Sequence, residues 1–140
     1  MPNDRKSVVE EARSWLGTPW QHQGRTKNGI DCAGLVVKVA HALGLSEFDR
    51  TDYVRNTRGQ EFVNVFREHL DEVPLLQLQA GDVVLFRDQM FPCHSAIVSE
   101  KYGQQYIIHA DARHRKVLEE PLDAHWRSKW IAGFKFRGVE

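Results

Sequence analysis

The sequence predicts an α+β domain in which N-terminal helices pack on a small antiparallel β-sheet. Three observations carry this prediction. Apolar residues of the first half recur at helical spacing, those of the second half fall in short runs punctuated by Gly, Pro and charged turns, and 140 residues suffice for one domain with its own core. Residues 1–140 read as a single domain, because no internal repeat, low-complexity stretch or linker interrupts them.

The elements follow in order. Val8, Ala12, Trp15 and Leu16 share one face of a first helix, which Gly17 and Pro19 stop. Asn28-Gly29 marks a turn. Asp31 then stands where an N-cap belongs, ahead of a second helix in which Leu35, Val36, Val39 and Leu43 share a face and after which Gly44 is a stop. The polar stretch 46–60 reads as a loop, and Phe62, Phe66 and Leu70 space a third helix that ends before Pro74. Strand-like runs follow at 83–86, 94–98, 106–109, 116–118 and 130–136, the last with clean alternation of Trp130, Ala132, Phe134 and Phe136.

Composition narrows the function classes. Lys plus Arg and Asp plus Glu both number 19 and are scattered, so no basic face argues for nucleic acid or an anionic membrane surface. No apolar run approaches the length of a membrane span, and the first residues lack a secretory apolar region. The chain is therefore expected to be made in the cytoplasm, without membrane insertion. Two cysteines, Cys32 and Cys93, build neither a disulfide framework nor a four-sulfur zinc site.

Cys32 carries the most chemistry. It lies in the first turn of the second helix, on the face of Leu35, Val36 and Val39 that packs on the sheet. Unpaired N–H groups and the positive end of the helix dipole favour a thiolate there and offer donors to an oxyanion. Asp31 opposes this with its charge, although capping would direct that charge at N–H groups. Position alone fits a small buried residue as well as a nucleophile.

A nucleophilic cysteine needs a base and a group that orients the base. Of seven histidines, His22, His41, His69, His114 and His125 suit surface or capping roles. His94 opens one strand, sharing a face with Ala96 and Val98, and His109 ends the next. In an antiparallel pair these ends meet, placing the two histidines side by side under the start of the Cys32 helix, with the small Ala96 admitting a close approach. Zinc on Cys32, His94 and His109 is chemically possible, but no closely spaced ligand pair supports it, and neither metal nor cofactor is expected. Cys93 faces away from His94's side of the strand and reads as buried.

The combination of Leu16-Gly17-Thr18-Pro19-Trp20, Gly24, Gly29-Ile30-Asp31-Cys32-Ala33-Gly34-Leu35-Val36, Gly81-Asp82-Val83-Val84-Leu85-Phe86, His94-Ser95-Ala96-Ile97-Val98 and Ile108-His109-Ala110 resembles, in order, the motifs of NlpC-type cell-wall cysteine peptidases. The resemblance spans roughly residues 8–136. It implies a papain-like fold and hydrolysis of peptidoglycan stem peptides, commonly between D-glutamate and a diamino acid. Carried over, Cys32 is the nucleophile, His94 the base and His109 the residue that orients it, with the thiolate pairing with His94 as imidazolium. Trp20 stands where the family commonly has tyrosine, Gln23-Gly24 where it has Gly-Gly, and Ala33 where it has serine. Trp20, Asp31, Tyr53 and Arg55 are the candidate substrate contacts, Trp20 near the cysteine, Asp31 adjacent to it and the others in the polar loop with Asp52. Residues 121–127 resemble the phage and prophage branch, which implies virion association or release onto the wall and phage tail proteins as partners. The same scaffold also serves amidases, thioesterases and acyltransferases, of which lipid-directed members need an apolar groove. A non-catalytic tail component is the remaining alternative.

Overall fold

The computed structural model describes residues 3–49, 59–87 and 94–140. Helix α1 (Arg5–Arg13) begins at Asp4, whose carboxylate accepts from the Ser7 amide, and buries Val8, Val9 and Ala12. It ends sooner than the apolar spacing predicts. Trp15 is still buried, but Leu16 is 43 % exposed rather than on the core face, because the chain has already turned toward Gly17 at φ +86°.

The predicted Asn28-Gly29 turn joins two short antiparallel strands, β1 (Arg25–Thr26) and β2 (Gly29–Ile30). Helix α2 (Cys32–Ala42) follows at once, capped by Asp31 as the sequence predicts, with Gly44 at φ +67° beyond its end. Helix α3 (Gly59–His69) confirms the third predicted helix.

Strands β3 (Asp71–Val73), β4 (Val83–Phe86), β5 (His94–Lys101), β6 (Gln104–Asp111), β7 (Lys116–Pro121) and β8 (Trp130–Lys135) form one antiparallel sheet in the order β3-β8-β4-β5-β6-β7. The predicted α+β architecture is thus observed, with β8 inserted between β3 and β4. Edge strand β3 and the short helix α4 (Ala124–Arg127) lie in polar stretches whose periodicity gave no signal.

Strand alternation divides the core in two. Val83, Leu85, Ile97, Ile108 and Phe134 face α1 and α2 and build the main cluster. Val84, Phe86, Ala96, Val98 and Ile107 face the other way and pack with Leu122 and with Trp126 of α4. Two ion pairs on buried carboxylates lock α1 to the sheet. Arg5 pairs with Asp82, which is 1 % exposed, and Gly81 is needed where the Arg5 backbone crosses, since a Cβ would lie 2.9 Å from Arg5 Cβ. Arg13 pairs with Glu119, which also accepts from the Ser99 hydroxyl at 2.6 Å.

The first turn of α2 lies against the β1–β2 hairpin through glycine. A Cβ on Gly34 would come 2.5 Å from the Gly24 carbonyl oxygen and 2.9 Å from Ile30 Cγ1. Gly34→Ala, which in an open helix would gain about 0.5–1 kcal/mol, is therefore expected to destabilise by about 1–3 kcal/mol through overpacking. Chemical denaturation measures this, and a stabilised variant would contradict the close approach.

Candidate active site

Asp31 sets the site's geometry. Its carboxylate is buried and accepts from the Gly34 amide at 2.8 Å, the Gln23 amide at 2.8 Å and the Arg25 guanidinium at 3.1 Å. Arg25 also donates to the Gly24 carbonyl and to Asp49, tying the hairpin to the helix start. Asp31, a candidate substrate contact by sequence, is thereby committed to internal donors, as its N-cap position suggests.

Cys32 is half-buried at this helix start, with its sulfur against the Ser95 amide and hydroxyl and the Ala33 amide. Burial, and after it the Asp31 charge, push the thiol up to about 12, while those three groups act in the opposite sense. The expectation of a resting thiolate favoured by the helix dipole is thus outweighed by desolvation. The Ser95 hydroxyl is itself fully buried and lacks a hydrogen-bond partner of regular geometry among the described residues.

His94 and His109 meet as the strand ends predict. His94 Nε2 lies 2.7 Å from His109 Nδ1, and both rings are buried. Their face differs from the expected one. They lie with Ala96 and Ile107 on the side packed by Trp126, whose ring stacks on His94 and meets His109 edge-on. Ala96 therefore does not admit the helix. Ser95 does, because alternation turns it toward α2 and brings the sulfur one peptide unit from His94.

The sheet opens at this point. Pairing of β5 with β6 ends at Ile97↔Ile108, while β5 stays paired to β4 as far as His94 and β6 to β7 as far as Asp111. The ends no longer paired to each other, 94–96 and 109–111, carry the two histidines, both on the Trp126 side.

Two further residues join the site without a signal from sequence. Glu120 Oε2 lies 2.8 Å from His109 Nε2, and Glu120 Oε1 accepts from Trp126 Nε1 at 3.1 Å. The His109 hydrogen bond, helped by that of Trp126 and opposed by burial, holds the Glu120 carboxyl below its ordinary range. Asp111 is pushed up by burial, yet its hydrogen bonds with His114 and the Arg113 amide and the charges of His109 and His94 hold it low. Ligand atoms of His109, Asp111 and Glu120 lie within 4.8 Å of one another, close enough to converge on a cation. In this arrangement His109 Nε2 is bonded to Glu120, and Asp111 to His114.

Trp20 is half-buried against the main core, and its backbone bridges Ile30 and Arg115 beside the strand leading into Cys32. Tyr53, Arg55, Asp52 and Cys93 lie outside the described residues. A cavity of about 380 Å³ flanks α2 on its outer side, lined by Ala33, Val36, Val37, Phe62 and Phe66 among others. Such an apolar recess is not expected from the sequence. Among the described residues no helix is long and apolar enough to cross a membrane.

Comparison with known proteins places this geometry in context. The model of the NlpC/P60 family matches residues 17–135. Murein DD-endopeptidase MepS/Murein LD-carboxypeptidase of Escherichia coli K12 is 23 % identical over 126 residues, covering 90 % of this chain and 60 % of that protein. Dipeptidyl-peptidase 6 of Lysinibacillus sphaericus is 29 % identical over 119 residues, 85 % of this chain and 37 % of that protein. The chain thus spans about three-fifths or less of these relatives' lengths. The crystal structure of the NlpC/p60 domain of peptidoglycan hydrolase SagA superposes with a TM-score of 0.66 at 20 % identity, covering 94 % of this chain and 98 % of that domain.

Two measurements test the electrostatics. In a Cys93→Ser background, alkylation of Cys32 by iodoacetamide should climb with pH beyond the ordinary thiol range, and a plateau below pH about 9 would indicate a resting ion pair instead. Acid stability follows from the lowered carboxyls. A group depressed in the folded state stabilises above its unfolded value and loses that contribution as pH falls through its folded value. The melting temperature should therefore decline as pH drops below 4.5 and 3.8, the ordinary values of Glu120 and Asp111. No decline on acidification would refute both assignments.

Proposed function

The chain belongs to the NlpC/P60 family, and from that premise we propose that it is a cysteine peptidase hydrolysing peptidoglycan stem peptides, with the bond between D-glutamate and the diamino acid as its target. The observation that carries this reading is the 2.7 Å contact of His94 Nε2 with His109 Nδ1, one peptide unit from a helix-start sulfur. The names of its relatives, a murein endopeptidase and a dipeptidyl-peptidase, support the substrate class.

In this reading the Cys32 sulfur attacks the scissile carbonyl as His94 takes its proton, so the thiolate forms during attack and not beforehand. That order suits a thiol whose burial opposes standing charge. The backbone N–H groups at the start of α2 stabilise the oxyanion. His94 then gives its proton to the leaving amine, leaving an acyl group on sulfur, and later takes one from the water that releases the acid. His109 holds the His94 ring throughout. Trp20, with Tyr53 and Arg55, contacts the peptide.

We assign the protein to a phage or prophage, on the resemblance of residues 121–127, with tail proteins as partners and delivery to the wall by particle or lysis. The acyl-transfer alternative has one observation in its favour, the apolar cavity beside Ala33. A non-catalytic tail role would leave both substrates below untouched.

Purified protein incubated with muropeptides should release products, identified by mass spectrometry, that end at D-glutamate. Cys32→Ala should abolish release, and His94→Ala should slow it by about 10²–10⁴-fold, the usual contribution of a general acid–base. Intact muropeptides with a hydrolysed long-chain acyl thioester would overturn the peptidase reading in favour of the alternative.

A further inference from the structure

We propose that Glu120 is a positioning residue that acts through His109 to fix the tautomer of His94, keeping its Nδ1 unprotonated and able to receive a proton. The role of that proton acceptor rests on the peptidase reading, whereas the tautomer does not.

Glu119 and Glu120 are neighbours on β7, so they serve opposite faces. Glu119 reaches Arg13 on the helix side, and Glu120 reaches His109 on the other. Glu120 pairs in register with Ile107, two residues from His109 on the same face.

Protons can then be counted along the chain of contacts. An ionised carboxylate only accepts, so the 2.8 Å bond to Glu120 requires the hydrogen on His109 Nε2. Neutral imidazole carries one N–H, which leaves His109 Nδ1 as an acceptor. The 2.7 Å contact between the rings then requires His94 Nε2 to donate. By the same rule His94 Nδ1 holds the lone pair. The reversed arrangement, with His109 Nδ1–H donating to His94 Nε2, would put the only His94 proton on Nδ1 and bar it from accepting another.

Trp126 reserves this role for a carboxylate over an amide. Its indole N–H donates only, and it already claims Glu120 Oε1 at 3.1 Å. A carboxylate satisfies Trp126 and His109 together because both its oxygens accept. A glutamine cannot. With its oxygen toward Trp126 its NH₂ faces His109 Nε2, which must then accept, and every proton in the chain reverses. Asp111, the other carboxylate near His109, is occupied by His114 and the Arg113 amide.

Long-range proton–nitrogen NMR on ring-labelled protein, at a pH where both rings are neutral, reads the tautomers directly. Wild type should show His94 and His109 as Nε2–H. Glu120→Gln should convert both to Nδ1–H and lower kcat on muropeptides about 10²-fold or more, with KM little changed. Glu120→Asp, which keeps two accepting oxygens, should retain the wild-type tautomers and recover much of the rate. His94 as Nδ1–H in wild type, or Nε2–H tautomers surviving in Glu120→Gln, would overturn the proposal even if that variant were slow. Should Glu120→Gln fail to fold, the wild-type and Glu120→Asp spectra decide it. Muropeptides left intact by wild type would refute the peptidase reading alone, since the spectra need no substrate.

Discussion

The buried carboxylate of Asp31 is the constraint from which the site follows. It receives an amide from its own helix, an amide from the loop before it and the guanidinium of Arg25. Each bond satisfies a donor that burial would otherwise leave costly. Together they fix where α2 starts and therefore where Cys32 stands. The glycines follow from the same demand, because the hairpin carrying Arg25 reaches Asp31 only if Gly34 lets its backbone close on the helix. This anchor has a cost at the sulfur. The charge that caps the helix also raises the thiol it positions, so precise placement and easy ionisation oppose one another here.

Strand alternation relates the sulfur to the histidines. On β5, Ser95 faces the helix and meets the sulfur while its neighbour His94 turns to the opposite face. The pairing of β5 with β6 ends just beyond, at Ile97↔Ile108. The second small core around Phe86 and Trp126 then has a function beyond stability, since it stacks on the His94 ring and keeps both histidines from water.

Much of this was legible in the sequence because it depends on local periodicity. The apolar spacing of Leu35, Val36 and Val39, the cap at Asp31 and the alternation at 130–136 each predict one element, and the structure contains it. The alternation breaks only at Trp130, which a register shift opposite Leu85 and Phe86 turns to the second cluster, away from Ala132, Phe134 and Phe136. The pairing of His94 with His109 was legible for the same reason, because antiparallel strand ends must meet. What failed depended on tertiary context. Leu16 fits the helical stripe, but the helix has ended before it. Ala96 faces away from the helix, against expectation, because no local rule tells which sheet face the helix covers. Helix α4 spans only four residues in a polar stretch, too short for any period to appear.

Glu120 shows why a site residue can be invisible in sequence and plain in structure. Two adjacent acids stand before a proline, and nothing local distinguishes the first from the second. Parity does, once the sheet is known: on a strand whose neighbour carries His109, only one of the two can share its face. The acid on that face sits between a ring that can exchange its proton and an indole that cannot. Since an ionised carboxylate only accepts, the direction of the hydrogen bonds runs one way, from Trp126 and His109 into the carboxylate and from His94 into His109. A base at the end of such a chain has its lone pair assigned by residues two contacts away, which makes the second core part of the chemistry and not only of the fold.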